Sequence, residues 1–232
     1  MENSKSNPGN ANLPIGVRKD ANREIGVPGL PATVWHSRGY LPHFESSAVT
    51  QHVTFHLADS LPQKLLLQLD SELKTLPAER RDMERRERVD SWIDAGHGSC
   101  ALRSPRVAEM VQGSLLNFDS QRYRLLAWVV MPNHVHALFQ PIENWTVAKI
   151  VASWKKFTAQ KICDDRRDRG EGAGAPVWHR EYWDRYIRDH SHLEQVIEYI
   201  HLNPEKAGLV VTAGEWRWSS AYFANAGILR KI

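Results

Sequence analysis

The chain has 232 residues, 42% of them hydrophobic and 25% charged, and a formal net charge of +3. A chain of this size buries a core without staples, and its mildly basic balance permits a nucleic-acid partner without demanding one. It holds no run of about 18 apolar residues, which excludes a membrane-spanning helix, and its two cysteines, Cys100 and Cys163, are too few for a disulfide scaffold or a four-cysteine zinc site.

Residues 1–33, rich in Asn, Gly and Pro, read as a disordered N-terminal arm. They show no secretory signal, so reduced thiols and a cytoplasmic location are expected. A single domain is expected over residues 34–225, followed by a tail at 226–232. Residues 50–57 alternate, with Val53, Phe55 and Leu57 on one side and His52, Thr54 and His56 on the other, the pattern of a half-buried strand. A helical period follows in Leu65, Leu69 and Leu73, and Pro62 sits where a first helical turn tolerates proline. Residues 79–88 carry five arginines against four acids, a mixture that reads first as a solvated helix face with i,i+4 pairs. Another helix is expected from Pro105 to Asn117.

The most apolar stretch, residues 123–131, is broken at Pro132-Asn133 and resumes at 134–140, which predicts an antiparallel hairpin in the centre of a sheet. Residues 146–162 have the spacing of an amphipathic helix, buried through Val147, Ile150, Val151 and Trp154. Residues 149–169 carry seven basic against three acidic side chains, a net +4 that exceeds the charge of the whole chain. Trp178 to Ile187 reads as a strand or irregular edge. A last helix is expected to start at a Ser191/Glu194 capping box, to bury Leu193, Val196, Ile197 and Ile200, and to stop near Asn203-Pro204. Gly208 is expected at positive φ, ending a short turn over Pro204–Ala207.

Two segments can carry chemistry. In a strand, His134 and His136 project from one face while Val135 turns into the core, and two neutral imidazoles on a rigid strand suit a divalent metal. The plainer reading is two exposed histidines on a half-solvated strand. On the last helix, Tyr199 and Asn203 stand i and i+4, one above the other, at one edge of the buried stripe. They offer a phenol, a possible nucleophile, and an amide oxygen, a possible metal ligand. Their plainer reading is a boundary tyrosine and a helix-capping asparagine. His201 falls on the opposite side. Trp178, Trp183, Trp216 and Trp218 read first as packing, with base stacking as the alternative. Lys155, Lys156, Arg185 and Arg188 are either phosphate contacts or surface charge.

Together these segments resemble a family. Val130-Met-Pro-Asn-His-Val-His-Ala-Leu-Phe139 resembles the histidine–hydrophobe–histidine (HUH) motif of the single-tyrosine transposases of small insertion sequences. Tyr199-Ile-His-Leu-Asn-Pro-Glu-Lys-Ala-Gly-Leu-Val210 resembles their nucleophile helix. Arg38-Gly-Tyr-Leu-Pro-His-Phe44, Tyr182-Trp-Asp-Arg-Tyr-Ile-Arg-Asp189 and Trp216-Arg-Trp-Ser-Ser220 resemble the REP-associated subgroup, over residues 35–222. The resemblance implies an α+β, ferredoxin-like fold, with strands near 50–57, 122–131 and 134–140 in the middle of its sheet. It implies Tyr199 as nucleophile, His134, His136 and Asn203 as ligands of Mg²⁺ or Mn²⁺, and single-stranded DNA with REP-like hairpins as partner. The DNA would be cut and rejoined through a 5′-phosphotyrosine link, by a monomer or homodimer at the nucleoid. Insertion-sequence members often have glutamine where Asn203 stands, one methylene shorter, which agrees better with the REP-associated subgroup. Two rivals remain at this point: a metal-dependent hydrolase using water, and a catalytically silent protein that grips hairpins.

Overall fold

The computed structural model describes residues 49–227, apart from positions 62, 169, 171–173 and 175, together with the backbone of two short strands upstream. The expected arm at 1–33, the Pro62 position and residues 228–232 of the expected tail lie outside the described residues. The two short strands, β1 (Val34–Ser37) and β2 (Pro42–Glu45), form an antiparallel pair of their own.

The main sheet has four antiparallel strands: β3 (Gln51–His56), β4 (Tyr123–Val130), β5 (His134–Pro141) and β6 (Trp183–Tyr186), in the order β4-β5-β3-β6. Helices α1 (Gln63–Leu73), α2 (Ala78–Asp94) and α3 (Pro105–Leu116) separate β3 from β4, and α4 (Val147–Asp168) separates β5 from β6. A β-α-β-β-α-β order with the first strand between the third and the fourth is the ferredoxin-like arrangement. Helix α5 (His190–Lys206) and the short α6 (Ser220–Asn225) follow.

Strand alternation divides the side chains between two layers. Val53, Phe55, Val135, Ala137 and Phe139 face α3 and α4, where they meet Val107, Val111, Leu115, Ile150 and Trp154 in one core. Inside it the Tyr123 hydroxyl donates to the Leu115 carbonyl at 2.7 Å and accepts from Trp154 Nε1 at 2.9 Å. On the other side Ala127, Val129, Met131 and Leu138 pack on Val196 and Ile200 of α5. Helices α1 and α2 close a third cluster through Leu61, Leu69, Leu73, Val89 and Ile93. The arginine-rich stretch behaves as a paired helix face, with Arg85 bonded to Asp70 and Arg88 to Glu72 and Glu84. Helix coverage on both sides leaves β3 buried on both faces, not half-buried as its alternation implies.

The hairpin forms as expected, tied by Met131 N to His134 O at 2.8 Å and by Leu57 N to Asn133 O at 2.8 Å. It is not central, because β4 is an edge strand. Chain after α5 covers that edge: Val130 N donates to Trp218 O at 2.8 Å and Trp128 N to Ser220 Oγ at 3.0 Å. Covering an edge in this way satisfies backbone groups that would otherwise recruit another strand. The tryptophans pack: Trp178 lies in the core, Trp183 against the third cluster, and Trp216 edge-on to Trp218.

Helix α5 departs from its sequence reading at both ends. Its cap is Asp189, whose carboxylate accepts from His192 N, so the helix starts two residues earlier than a Ser191 cap would place it. It also runs through Pro204. A proline in the last turn gives up only one N–H, and the helix closes beyond it with Gly208 N to Glu205 O and Leu209 N to Pro204 O. Those two bonds form a Schellman ending, which requires the left-handed conformation Gly208 adopts at φ +66°. Both cysteines are free, and among the described residues no helix is long and apolar enough to cross a membrane.

Candidate active site

The site lies on the α5 side of the sheet. In the β3–β5 register Thr54 is opposite His136 and His56 opposite His134, so the imidazoles and these β3 side chains share one face. Val135 between them is fully buried in the other layer. Both histidines are buried rather than exposed.

Asn133 fixes the first imidazole. Its amide nitrogen donates to the carbonyls of Ile93 at 2.9 Å and His97 at 3.1 Å. With both donors used, its Oδ1, 2.8 Å from His134 Nδ1, is an acceptor. The His134 proton therefore sits on Nδ1, and Nε2 turns a lone pair toward His136 Nε2, 3.0 Å away. His136 Nδ1 lies 2.8 Å from Thr54 Oγ1 and 3.2 Å from His52 Nε2. A proton given from Nδ1 to Thr54 leaves its Nε2 bare as well. Burial holds the His134 imidazole down at about 3 and His136 well below its ordinary value, with neighbouring imidazoles adding to both. Neutral imidazole is the form that binds metal.

A third group arrives from α2. Asp94, its last residue, places a buried Oδ1 with no hydrogen-bond partner 3.4 Å from His134 Nε2 and 4.0 Å from His136 Nε2. Burial pushes this carboxyl up from the ordinary range, against the pull of Tyr199, Asn203 and Lys206. One atom from each of Asp94, His134 and His136 falls within 4.8 Å of the others, a group able to hold a metal ion. Two imidazole lone pairs facing each other beside a carboxylate oxygen are the electrostatics that a divalent cation resolves.

Helix α5 brings the other two candidates to the same point. Asn203, buried, holds Nδ2 3.3 Å from His136 Nε2. The Tyr199 hydroxyl donates to Asp94 Oδ2 at 3.4 Å, and its ring stands edge-on to His136 with centroids 5.3 Å apart. Lys206 Nζ lies 5.9 Å from the Tyr199 ring centroid. His201 turns away and pairs with Ser220 Oγ at 2.8 Å.

The four basic candidates divide. Arg185 pairs in register with His52, on the site side, and its exposed guanidinium is one reason, after burial, why His52 is held down at about 4. Arg188, also exposed, stands just before α5. Lys155 and Lys156 belong to α4, which covers the opposite face of the sheet. Lys156 is exposed there, whereas Lys155 donates to the carbonyls of Arg180 at 3.1 Å and Glu181 at 3.0 Å, its ammonium lowered to about 8 by burial. In this structure the Lys155 ammonium fastens the segment before β6.

Sequence reasoning misses Asp94, Asn133 and the contacts of His52 and Thr54. The polar face of β3 is legible in its alternation, but which strand it adjoins is not. Asn133 reads only as a turn residue. Asp94 carries no signal beyond its place at the end of a charged helix.

Residues 104–203 match the family model described as "Transposase IS200 like". A putative REP-associated tyrosine transposase of Haemophilus influenzae is 32% identical over 103 residues, 42% of this chain and 58% of that protein. The REP-associated tyrosine transposase of Escherichia coli is 23% identical over 119 residues, 48% of this chain and 63% of that protein. The chain thus spans about three-fifths of the length of the curated relatives it matches. A solved REP-associated tyrosine transposase, bound to a REP hairpin, is 18% identical, with 84% of this chain and 87% of that one covered at a TM-score of 0.48. Asp94 lies outside the family match, whereas both histidines, Tyr199 and Asn203 lie within it, and over that segment the chain is similar to the IS200-like transposases and to the REP-associated tyrosine transposases.

Proposed function

We propose that this chain cuts and rejoins single-stranded DNA at hairpin-bearing ends, with Tyr199 as nucleophile and a 5′-phosphotyrosine link as intermediate. The observation that carries the reading is the convergence of a phenol, two buried neutral imidazoles, a carboxylate and an amide from three separate elements, α2, β5 and α5. The family match and the named relatives support the DNA-transposition class.

His134, His136 and Asp94 would hold Mg²⁺ or Mn²⁺, with Asn203 joining once its amide turns Oδ1 inward. Imidazole and oxygen ligands together suit Mn²⁺ readily and can serve Mg²⁺. When bound, the metal supplies Lewis-acid polarisation of the scissile phosphate and a template for it. The residues themselves do the rest. Asn133 and Thr54 hold the imidazoles in the tautomer that bares Nε2. Packing of Val196 and Ile200 on the sheet fixes α5, so the phenol and the amide arrive together. Tyr199 Oη, giving its proton through Asp94 Oδ2 to water, attacks phosphorus as the bond to the 3′ oxygen breaks, and that oxygen takes a proton from water to leave as a hydroxyl. Arg185 and Arg188, beside the site, contact the backbone of the strand. A single domain over residues 34–225, working in the cytoplasm at the nucleoid as monomer or homodimer, completes the proposal.

The test is incubation with single-stranded hairpin libraries and Mn²⁺, followed by sequencing of DNA covalently attached to the protein. The reading expects hairpin-bearing strands cut at one position. Hydrolysis by water leaves cut DNA without an adduct, and a silent binding protein leaves intact DNA without one.

A further inference from the structure

We propose that Asp94 couples the two halves of the site: one carboxylate oxygen completes the metal-binding set, and the other aims the Tyr199 hydroxyl. The coupling rests on the reading of Tyr199 as nucleophile. The two oxygens have different surroundings. Oδ1 is buried, unpartnered and directed at the imidazole pair, while Oδ2 accepts the hydrogen bond of Tyr199 Oη.

The mounting of Asp94 supports the role. Ile93 beside it is buried in the cluster between α1 and α2. The carbonyl of Ile93 accepts from Asn133 Nδ2 and from Gly96 N, which closes the helix end at 3.1 Å. The residue that sets the His134 tautomer therefore also clamps the backbone carrying Asp94. Ligand and aiming group are fixed through one amide, so the distance from imidazoles to phenol is set by the α2 terminus, outside the matched family segment. Asp94 is a positioning residue toward Tyr199 and a ligand toward the metal.

The two roles separate by substitution. In Asp94→Asn the amide keeps an oxygen for Tyr199 Oη and turns its nitrogen to the imidazole lone pairs, where it opposes a cation. Calorimetry with Mn²⁺ on the DNA-free protein is expected to show affinity lower by about ten-fold or more, a loss even outer partners of metal ligands produce. Adduct formation at saturating Mn²⁺ and DNA falls as well, but by clearly less than in Asp94→Ala, because the amide oxygen still aims the hydroxyl. Asp94→Ala loses both functions, and its saturating rate falls by about 100-fold, the scale of a misplaced reacting group. Tyr199→Phe abolishes the adduct and keeps the parent Mn²⁺ affinity. Parent-like Mn²⁺ affinity in Asp94→Asn overturns the ligand role, and equal saturating rates in the Asn and Ala variants overturn the aiming role. Asp94→Asn is isosteric, so its calorimetry stands even where the Ala variant does not fold. A parent protein that forms no adduct overturns the function proposed above and the aiming role with it, while the calorimetry alone still decides whether Asp94 binds metal.

Discussion

The two faces of one sheet make different uses of the same strands. Toward α3 and α4, β3 and β5 present Val53, Phe55, Val135, Ala137 and Phe139, packed on carbon and on hydrogen-bonded tyrosine and tryptophan groups, with the buried Gln51 amide at the start of β3 left without a partner. Toward α2 and α5 the alternate residues, His52, Thr54, His134 and His136, form a buried polar cluster with a carboxylate oxygen left unpaired. His134 and His136 are as deeply buried as the apolar side chains, so depth does not distinguish the faces. The clustering of lone-pair-bearing groups from separate elements does. An interior that leaves acceptors facing one another is held at a cost that a purely structural core has no reason to bear.

That contrast is broken most sharply on β5, where neighbours belong to opposite faces. His134→Ala or His136→Ala is expected to remove Mn²⁺ binding and to lower adduct formation by about 10³-fold or more, since metal assistance is worth several kcal/mol. Val135→Ala should instead cost about 1–3 kcal/mol of stability and leave the folded protein active. Denaturant midpoints and calorimetry on the same three variants check both halves. Equal loss of activity without unfolding in all three would contradict the division into faces.

A deeper cut into the apolar face sharpens it further. Phe139→Ala should destabilise by about 3–5 kcal/mol while the folded fraction keeps the parent Mn²⁺ affinity. Of intermediate size is Asn133→Ala, which frees the His134 ring and is expected to weaken Mn²⁺ binding about 10- to 100-fold.

The faces also differ in how far the sequence reveals them. Periodicity makes the proximity of His134 to His136, and of Tyr199 to Asn203, legible, because each pair lies within one regular element. The meeting of the two pairs follows from α5 lying on the imidazole side, which only packing decides. Asp94 is 40 positions from His134, and no local pattern marks it. The same limit explains smaller differences. Asp189 wins the cap over Ser191 because its backbone is extended where the strand hands over to the helix. Pro204 stays inside α5 because a Schellman ending beyond it satisfies the chain. Lys155 shows that a net basic segment does not tell which charges are already engaged.

The smallest expected effect separates the faces in binding rather than chemistry. Arg185→Gln with Arg188→Gln should reduce the slope of log K against log[salt] for single strands by about 1.4, from ~0.7 for each lost phosphate contact. Preference among hairpin sequences should hardly change, because phosphate contacts position the strand and base contacts choose it. Lys156→Gln, on the opposite face, should leave the slope unchanged. A lower slope for Lys156→Gln and none for the arginines would place the strand on the α4 side.

The central claim is that the polar face works through Tyr199. Trypsin releases this residue in the segment Asp189–Lys206, in which it is the only tyrosine, while Tyr182 and Tyr186 fall in separate segments. Mass spectrometry of the digested protein–DNA adduct therefore names the nucleophile directly. The account predicts a 5′-linked nucleotide on Asp189–Lys206 alone, absent from the Tyr199→Phe protein. A nucleotide on the segment holding Tyr182 or Tyr186, or an adduct that survives Tyr199→Phe, would contradict it.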